Sequence, residues 1–237
     1  MIICNNRKDT LPVQIVEKYN YEIIINEISA LNLLDRNYWD GINFGQDIHN
    51  KFRQIALTHS NYYSRWFNFK NKQYQDLFLN EIDYALINKI TNEDFTSRRS
   101  RARVVTDMQK LREQHNAEFI FKPQLKKQFR NTYLEEVIND IGSRFAGGSG
   151  RAKIGWMAHG TVVGEHIDAD SSMVLKVHIP LVTNPEVKFY VKYKESLQEY
   201  HMLANGTAYL LNTGLPHSVK NNGINDRYHL IVNVYNR

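Results

Sequence analysis

Beyond Gly147-Gly148-Ser149-Gly150 the chain breaks into short apolar stretches divided by turn-forming residues, and this rhythm limits its fold more than any other feature. Strands are predicted at Ala152–Met157, Met173–Leu181, Val187–Tyr193, Thr207–Leu211, His217–Lys220 and Arg227–Tyr235. Asn184-Pro185, Asn205-Gly206 and Asn222-Gly223 supply the turns between them. Many short strands at this spacing predict a β-barrel or sandwich. The glycine cluster lacks the Gly-Lys-Ser/Thr ending of a phosphate loop and opens no helical pattern, so it reads as a flexible entry to the first strand.

Alternation within the strands is strict. In Val174–Ile179, Lys176 and His178 share one face while Leu175, Val177 and Ile179 share the other. In the last strand Arg227, His229, Ile231 and Asn233 oppose Tyr228, Leu230, Val232 and Val234. A polar stripe backed by an apolar one describes either a solvated sheet face or a polar-lined barrel mouth. Two such stripes, in strands that flank His166, Asp168 and His217, favour the barrel mouth.

The preceding half is mixed, with helices dominating. A short strand is expected over Val13–Glu17. It is followed by an amphipathic helix from Tyr21 to Leu31, with Ile24, Ile28 and Leu31 on its apolar face. Further helices are expected over Gln73–Ile90 and Thr132–Ile141, the latter ending at Gly142. At 237 residues the chain can bury one sizeable core. The expected organisation is a mixed helical and strand part, residues 1–145, packed on a β core of residues 146–237 within one structural domain.

Gly164-Glu165-His166-Ile167-Asp168 carries the chemistry. In an extended chain residues two apart point to the same side, so His166 and Asp168 can reach one ion. A third ligand from a distant strand would complete one face of an octahedron and leave the other open, the 2-His-1-carboxylate arrangement of non-haem Fe(II) oxygenases. His217, in Pro216-His217-Ser218-Val219, is the best candidate, and Arg227 opens the final strand where a cation could hold an acidic cosubstrate. The other histidines fit less well. His49, His59 and His115 lack a patterned partner, His159 precedes Gly160 in an apparent turn, and His201 sits in a loop-like stretch, Gln198–His201, where a solvated ring is expected. His178 and His229 each follow a cation by two residues and should face the same side as the site.

Composition excludes several alternatives. The single cysteine, Cys4, rules out an internal disulfide framework and a Cys-rich metal site, which fits a reducing, cytoplasmic setting. The first residues lack the order of a signal peptide, and no apolar run approaches the ~18 residues that cross a bilayer. The net charge of +5 permits an acidic partner, and the densest basic run is Arg98–Arg103, followed by Lys110 and Arg112. No stacking aromatics interleave these arginines, so a solvated face outweighs a nucleic-acid platform. The aromatic stretch Tyr62–Phe69 lies well upstream and reads as core or pocket wall.

The segment from about Arg151 to Val234 resembles the aspartyl/asparaginyl β-hydroxylase family of Fe(II)- and 2-oxoglutarate-dependent oxygenases, whose members act on protein residues or on free amino acids such as L-proline. The matching text is the ordered set of Gly164–Asp168, His178–Pro185, Leu211-Asn212-Thr213, Pro216–Asn221 and Arg227–Leu230. The resemblance implies a double-stranded β-helix, a cupin-like jelly roll with helices packed outside. It implies Fe(II) on His166, Asp168 and His217, with 2-oxoglutarate and O2 as cosubstrates, and Arg227 on the distal carboxylate of 2-oxoglutarate. Lys176 and His178 fall where the family carries a basic residue and a histidine toward the cosubstrate. The basic residue is usually arginine, and lysine keeps the charge but gives up the planar fork. The implied reaction is hydroxylation of an aliphatic C–H in an amino acid, free or within a peptide. Its rivals are a cupin-like metal enzyme without 2-oxoglutarate, a non-catalytic barrel binding an acidic partner through Arg98–Arg103, and a nucleic-acid dealkylase.

Overall fold

A computed structural model describes residues 11–34, 52–58, 125–168 and 174–235, all within one compact unit formed by Met1–His59 and Leu125–Arg237. The expected helix at Gln73–Ile90, the aromatic stretch, the basic run, Cys4, His49, His59 and His115 lie outside the described residues.

Ten strands and two α-helices are described: β1 Val13–Lys18, α1 Tyr21–Ala30, β2 Phe52–Ala56, α2 Tyr133–Ser143, β3 Ser149–Met157, β4 Thr161–His166, β5 Val174–Val182, β6 Val187–Tyr193, β7 Ser196–Tyr200, β8 Thr207–Leu211, β9 His217–Asn221 and β10 Arg227–Tyr235. They form a larger sheet in the order β1-β8-β5-β10-β3-β2 and a smaller one in the order β4-β9-β6-β7, with every pairing antiparallel. From β3 to β10 the chain passes back and forth between the sheets, and strands far apart in sequence become neighbours. This is the winding of a double-stranded β-helix, or jelly roll.

Side-chain alternation divides the larger sheet into two faces. Ala152, Ile154 and Trp156 of β3, Leu175, Val177, Ile179 and Leu181 of β5, and Tyr228, Leu230, Val232 and Val234 of β10 form one cluster with Ile24 and Ile28 of α1 and Leu134, Val137, Ile138 and Ile141 of α2. The helices thus cover the apolar stripes from outside, which removes those side chains from water. The opposite parity faces the smaller sheet. There Leu211 joins Phe189, Val191, Tyr193, Met202 and Leu215 in a second cluster. The polar stripes of β5 and β10 are therefore barrel interior, with His178, Arg227 and His229 at 8%, 4% and 1% exposure.

The helices are fixed at their ends. Thr132 caps α2, accepting from the Glu135 amide at 3.2 Å, and the Glu135 carboxylate accepts from the Asn131 amide at 2.6 Å. Glu27 of α1 adds a tertiary cap, its two carboxylate oxygens accepting from the amides of Tyr133 and Leu134 at 2.7 and 2.9 Å. At the predicted Asn205-Gly206 turn, Gly206 has φ of 85° and its carbonyl accepts from the Tyr19 amide at 2.9 Å. A Cβ there would run into the Tyr19 carbonyl, so the turn requires glycine twice over.

Three strands differ from the sequence expectation. β7 occupies most of the stretch read as a loop, and it is an outer edge strand whose Ser196, Leu197 and Glu199 are exposed, so no buried face imposes alternation. His201, read as solvated, is half-buried beside the Val187 carbonyl at 3.0 Å. β2, another edge strand, is five residues long, and β4 buries Thr161 while exposing Val162, the reverse of the usual signal.

Candidate metal centre

The β4–β9 ladder builds the centre. His166 and His217 are direct register partners, so their rings leave the smaller sheet side by side with centroids 4.3 Å apart. Asp168 follows β4, its backbone amide donating to the Thr213 carbonyl at 2.9 Å, which ties the segment after β4 to the loop before β9. Its carboxylate lies 3.9 Å from His166 Nε2 and 3.6 Å from His217 Nε2. Among the described residues, His166, Asp168 and His217 form the group of ligand-type side chains that could hold a metal ion.

The backbone sets which nitrogen of each ring is available. His166 Nδ1 lies 2.8 Å from the Gly164 carbonyl and His217 Nδ1 lies 2.8 Å from the Leu215 carbonyl. A carbonyl oxygen only accepts, so both Nδ1 atoms carry hydrogen and both Nε2 atoms present lone pairs toward Asp168. Two imidazole lone pairs and a carboxylate converging on one point are the donor set of a divalent first-row metal. His217 is 4% exposed, and its ring centroid lies 5.5 Å from that of Phe189. Burial lowers its pKa and helps keep it neutral. Burial alone would raise the Asp168 pKa. The Lys176 ammonium, which is bonded to Asp168 Oδ2, and the two imidazoles hold it below the usual carboxylate range instead.

A second group stands on the larger sheet. Arg227 is buried, and burial pushes its pKa down to about 10, which leaves it a cation at neutral pH. Its Nη2 donates to His229 Nδ1 at 2.8 Å and its Nη1 approaches Met157 Sδ at 3.7 Å, while its Nε finds no hydrogen-bond partner among the described residues. His178 reaches His229, Nδ1 to Nδ1, at 3.3 Å. Lys153 of β3 completes the interior. It is 9% exposed, donates to Gln54 Oε1 at 2.9 Å, and has its pKa pushed well down by burial and by Lys176 and Arg151.

The geometry thus brings His166, Asp168 and His217 together, sets Lys176 against Asp168, and places Arg227 and His178 in one buried chain through His229. His159 stays apart, exposed in its turn, with its backbone amide donating to Asp226 at 3.0 Å. Lys153 was missed by sequence reasoning. Arg151-Ala152-Lys153-Ile154 has the same alternation that marked Lys176 with His178 and Arg227 with His229, and that pattern was the signal available.

The sequence model of the aspartyl/asparaginyl beta-hydroxylase family matches residues 97–237. No curated protein sequence matches the chain. Among solved structures, an oxidoreductase of the 2OG-Fe(II) oxygenase family from Burkholderia pseudomallei is similar at 22% identity, over 47% of this chain and 60% of its own, with a TM-score of 0.37. A predicted oxalate decarboxylase from Thermotoga maritima is similar at 18% identity, over 37% of this chain and 67% of its own, with a TM-score of 0.28. The chain therefore spans about 60% of the length of the Burkholderia oxygenase. The family match runs through β3 to β10 and includes His166, Asp168, His217 and Arg227. The chain belongs to the aspartyl/asparaginyl beta-hydroxylase family.

Proposed function

We propose that this protein is an Fe(II)- and 2-oxoglutarate-dependent oxygenase that hydroxylates an aliphatic C–H of an amino acid, either free or within a peptide. The observation that carries the reading is the pair of backbone carbonyls, Gly164 and Leu215, that fix both imidazoles with Nε2 toward Asp168. Such a donor set leaves an open coordination face. Iron held by His166, Asp168 and His217 would, with 2-oxoglutarate and O2, supply the oxidising power of the reaction.

The chain's own residues bind, orient and shield. His166, Asp168 and His217 hold the metal. Arg227, buried and without a carboxylate partner among the described residues, supports the distal carboxylate of 2-oxoglutarate, for which its planar fork suits two parallel hydrogen bonds. Lys176 holds Asp168 Oδ2 and keeps positive charge beside the site, and His178 stands next to Arg227 through His229. Among the described residues the interior sets Lys176 and Arg227 against Asp168, with the buried Lys153 amine beside them, a balance that favours an anionic cosubstrate. No described helix is long and apolar enough to cross a membrane. The lone cysteine fits a reducing, cytoplasmic setting.

The test is an anaerobic titration of metal-free protein with Fe(II) and then 2-oxoglutarate, watching for the visible metal-to-ligand charge-transfer band. A band in the wild type that is lost in His166→Ala supports the reading and justifies screening amino acids and peptides for succinate release. A folded protein that binds Fe(II) without giving the band points to a metal enzyme that does not use 2-oxoglutarate.

A further inference from the structure

One buried group in the barrel interior has no part in the proposed chemistry. His229 lies in the same inward stripe as Arg227 and is 1% exposed. A guanidinium only donates, so Arg227 Nη2, 2.8 Å away, gives its hydrogen to His229 Nδ1. His229 Nδ1 is then the unprotonated nitrogen of its ring. His178 Nδ1, 3.3 Å from the same atom, must carry its own hydrogen for that contact to attract, and the two rings meet edge to face at 5.6 Å. Burial, with Arg227 as the next cause, pushes both rings' pKa well down, and Lys176 and Lys153 act in the same direction on His178. Both imidazoles are neutral.

A neutral acceptor differs from a carboxylate in this position. Aspartate or glutamate would fix Arg227 equally well but would cancel its charge before a ligand arrived. Imidazole fixes the fork and leaves the charge available. The Met157 sulfur at 3.7 Å is a weak acceptor, so His229 supplies the strong anchor among the described contacts of Arg227.

We propose that His229 is a positioning residue of the anion site, whose Nδ1 fixes the plane of the Arg227 guanidinium so that its remaining donors meet a carboxylate without loss of charge. The proposal rests on the reading of Arg227 as the anchor for 2-oxoglutarate.

Asparagine, aspartate and leucine have nearly one shape, and asparagine can place an oxygen where Nδ1 stands. The full chain loaded with Mn(II) is titrated with 2-oxoglutarate by calorimetry as wild type, His229→Asn, His229→Asp and His229→Leu, and Mn(II) affinity is read separately by electron paramagnetic resonance. His229→Asn should bind 2-oxoglutarate within about threefold of wild type, and His229→Leu about tenfold or more weaker, the usual effect of losing a hydrogen bond to a charged group. His229→Asp should bind more weakly than His229→Asn, because its charge competes with the ligand. Mn(II) affinity should stay level throughout. Wild-type affinity in His229→Leu, equal weakening in His229→Asn and His229→Leu, or a parallel fall in Mn(II) affinity would overturn the proposal. If His229→Leu does not fold, the Asn and Asp pair decides it: equal affinities overturn it. A wild type that binds Mn(II) but not 2-oxoglutarate removes the proposed function itself, before any variant is compared.

Discussion

His166 and His217 stand opposite each other across the β4–β9 ladder, and this pairing sets the imidazoles of two histidines distant in sequence side by side. Asp168 joins them from the segment just past β4, where its amide is pinned by the Thr213 carbonyl. The candidate metal centre is thus a property of strand register, and a slip of one residue would turn His217 to the other face of the smaller sheet.

Metal binding to the folded chain alone must stabilise it. At a free metal concentration about a hundred times Kd the gain is about 2.7 kcal/mol. For a chain of this size that corresponds to a rise in Tm of roughly 5–10 °C. Differential scanning fluorimetry with Mn(II), followed by EDTA, should show the rise and its reversal. His166→Ala and His217→Ala should melt at one temperature with and without metal, and a full shift in either variant would remove that residue from the ligand set.

Arg227→Ala removes a buried cation from the proposed anion site, a change that costs about 2–5 kcal/mol where a buried charge pair is broken. The 2-oxoglutarate requirement should therefore rise by roughly thirtyfold or more, with Mn(II) affinity unchanged. Arg227→Lys should recover part of the loss, because the charge returns without the fork. Calorimetric titration of the metal-loaded protein reads both, and an unchanged 2-oxoglutarate affinity in Arg227→Ala would hand the role to another cation, with Lys153 the first to examine.

The grouping of His166, Asp168 and His217 was legible because its signals are local. Period two places His166 and Asp168 together, and ligand-type residues in apolar strands are conspicuous. The two-faced stripes of β5 and β10 were legible for the same reason, since helices cover one face and the barrel encloses the other. β2 and β7 were not legible because edge strands have little buried surface to impose a pattern. The pairing of Lys176 with Asp168 and the chain from Arg227 through His229 to His178 also lay beyond sequence. They depend on how the two sheets and neighbouring strands are brought together, and residue types alone do not state those distances.

Glu27 couples the two helices that cover the larger sheet, since its carboxylate takes two amides at the start of α2 that the helix cannot satisfy itself. Glu27→Ala should cost about 1–2 kcal/mol, in the range of lost helix caps. Glu27→Gln should cost less, because the amide keeps one acceptor. Urea unfolding followed by circular dichroism measures both, and a loss no greater than that of an exposed surface substitution would show that solvent replaces the cap.

Asp226 gives a pH test whose sign is fixed by its contacts. Burial opposes its ionisation, but the Trp156 indole, donating at 2.8 Å, and the His159 amide at 3.0 Å favour the carboxylate and hold its pKa below the usual value. A depressed folded pKa means stability that is present above the unfolded value of about 3.9 and lost as pH falls through the lower folded value. Hydrogen bonds to a charged group suggest a contribution of about 1.5–3 kcal/mol at neutral pH. Asp226→Asn should thus be less stable than wild type at pH 7, and the gap should narrow steadily as acid is added below about pH 4. Urea midpoints across that range test the point. A gap that stays constant into the acid range would mean that Asp226 acts through shape or neutral hydrogen bonding, and that its negative charge contributes nothing to holding Trp156 and the turn at His159 beside the start of β10.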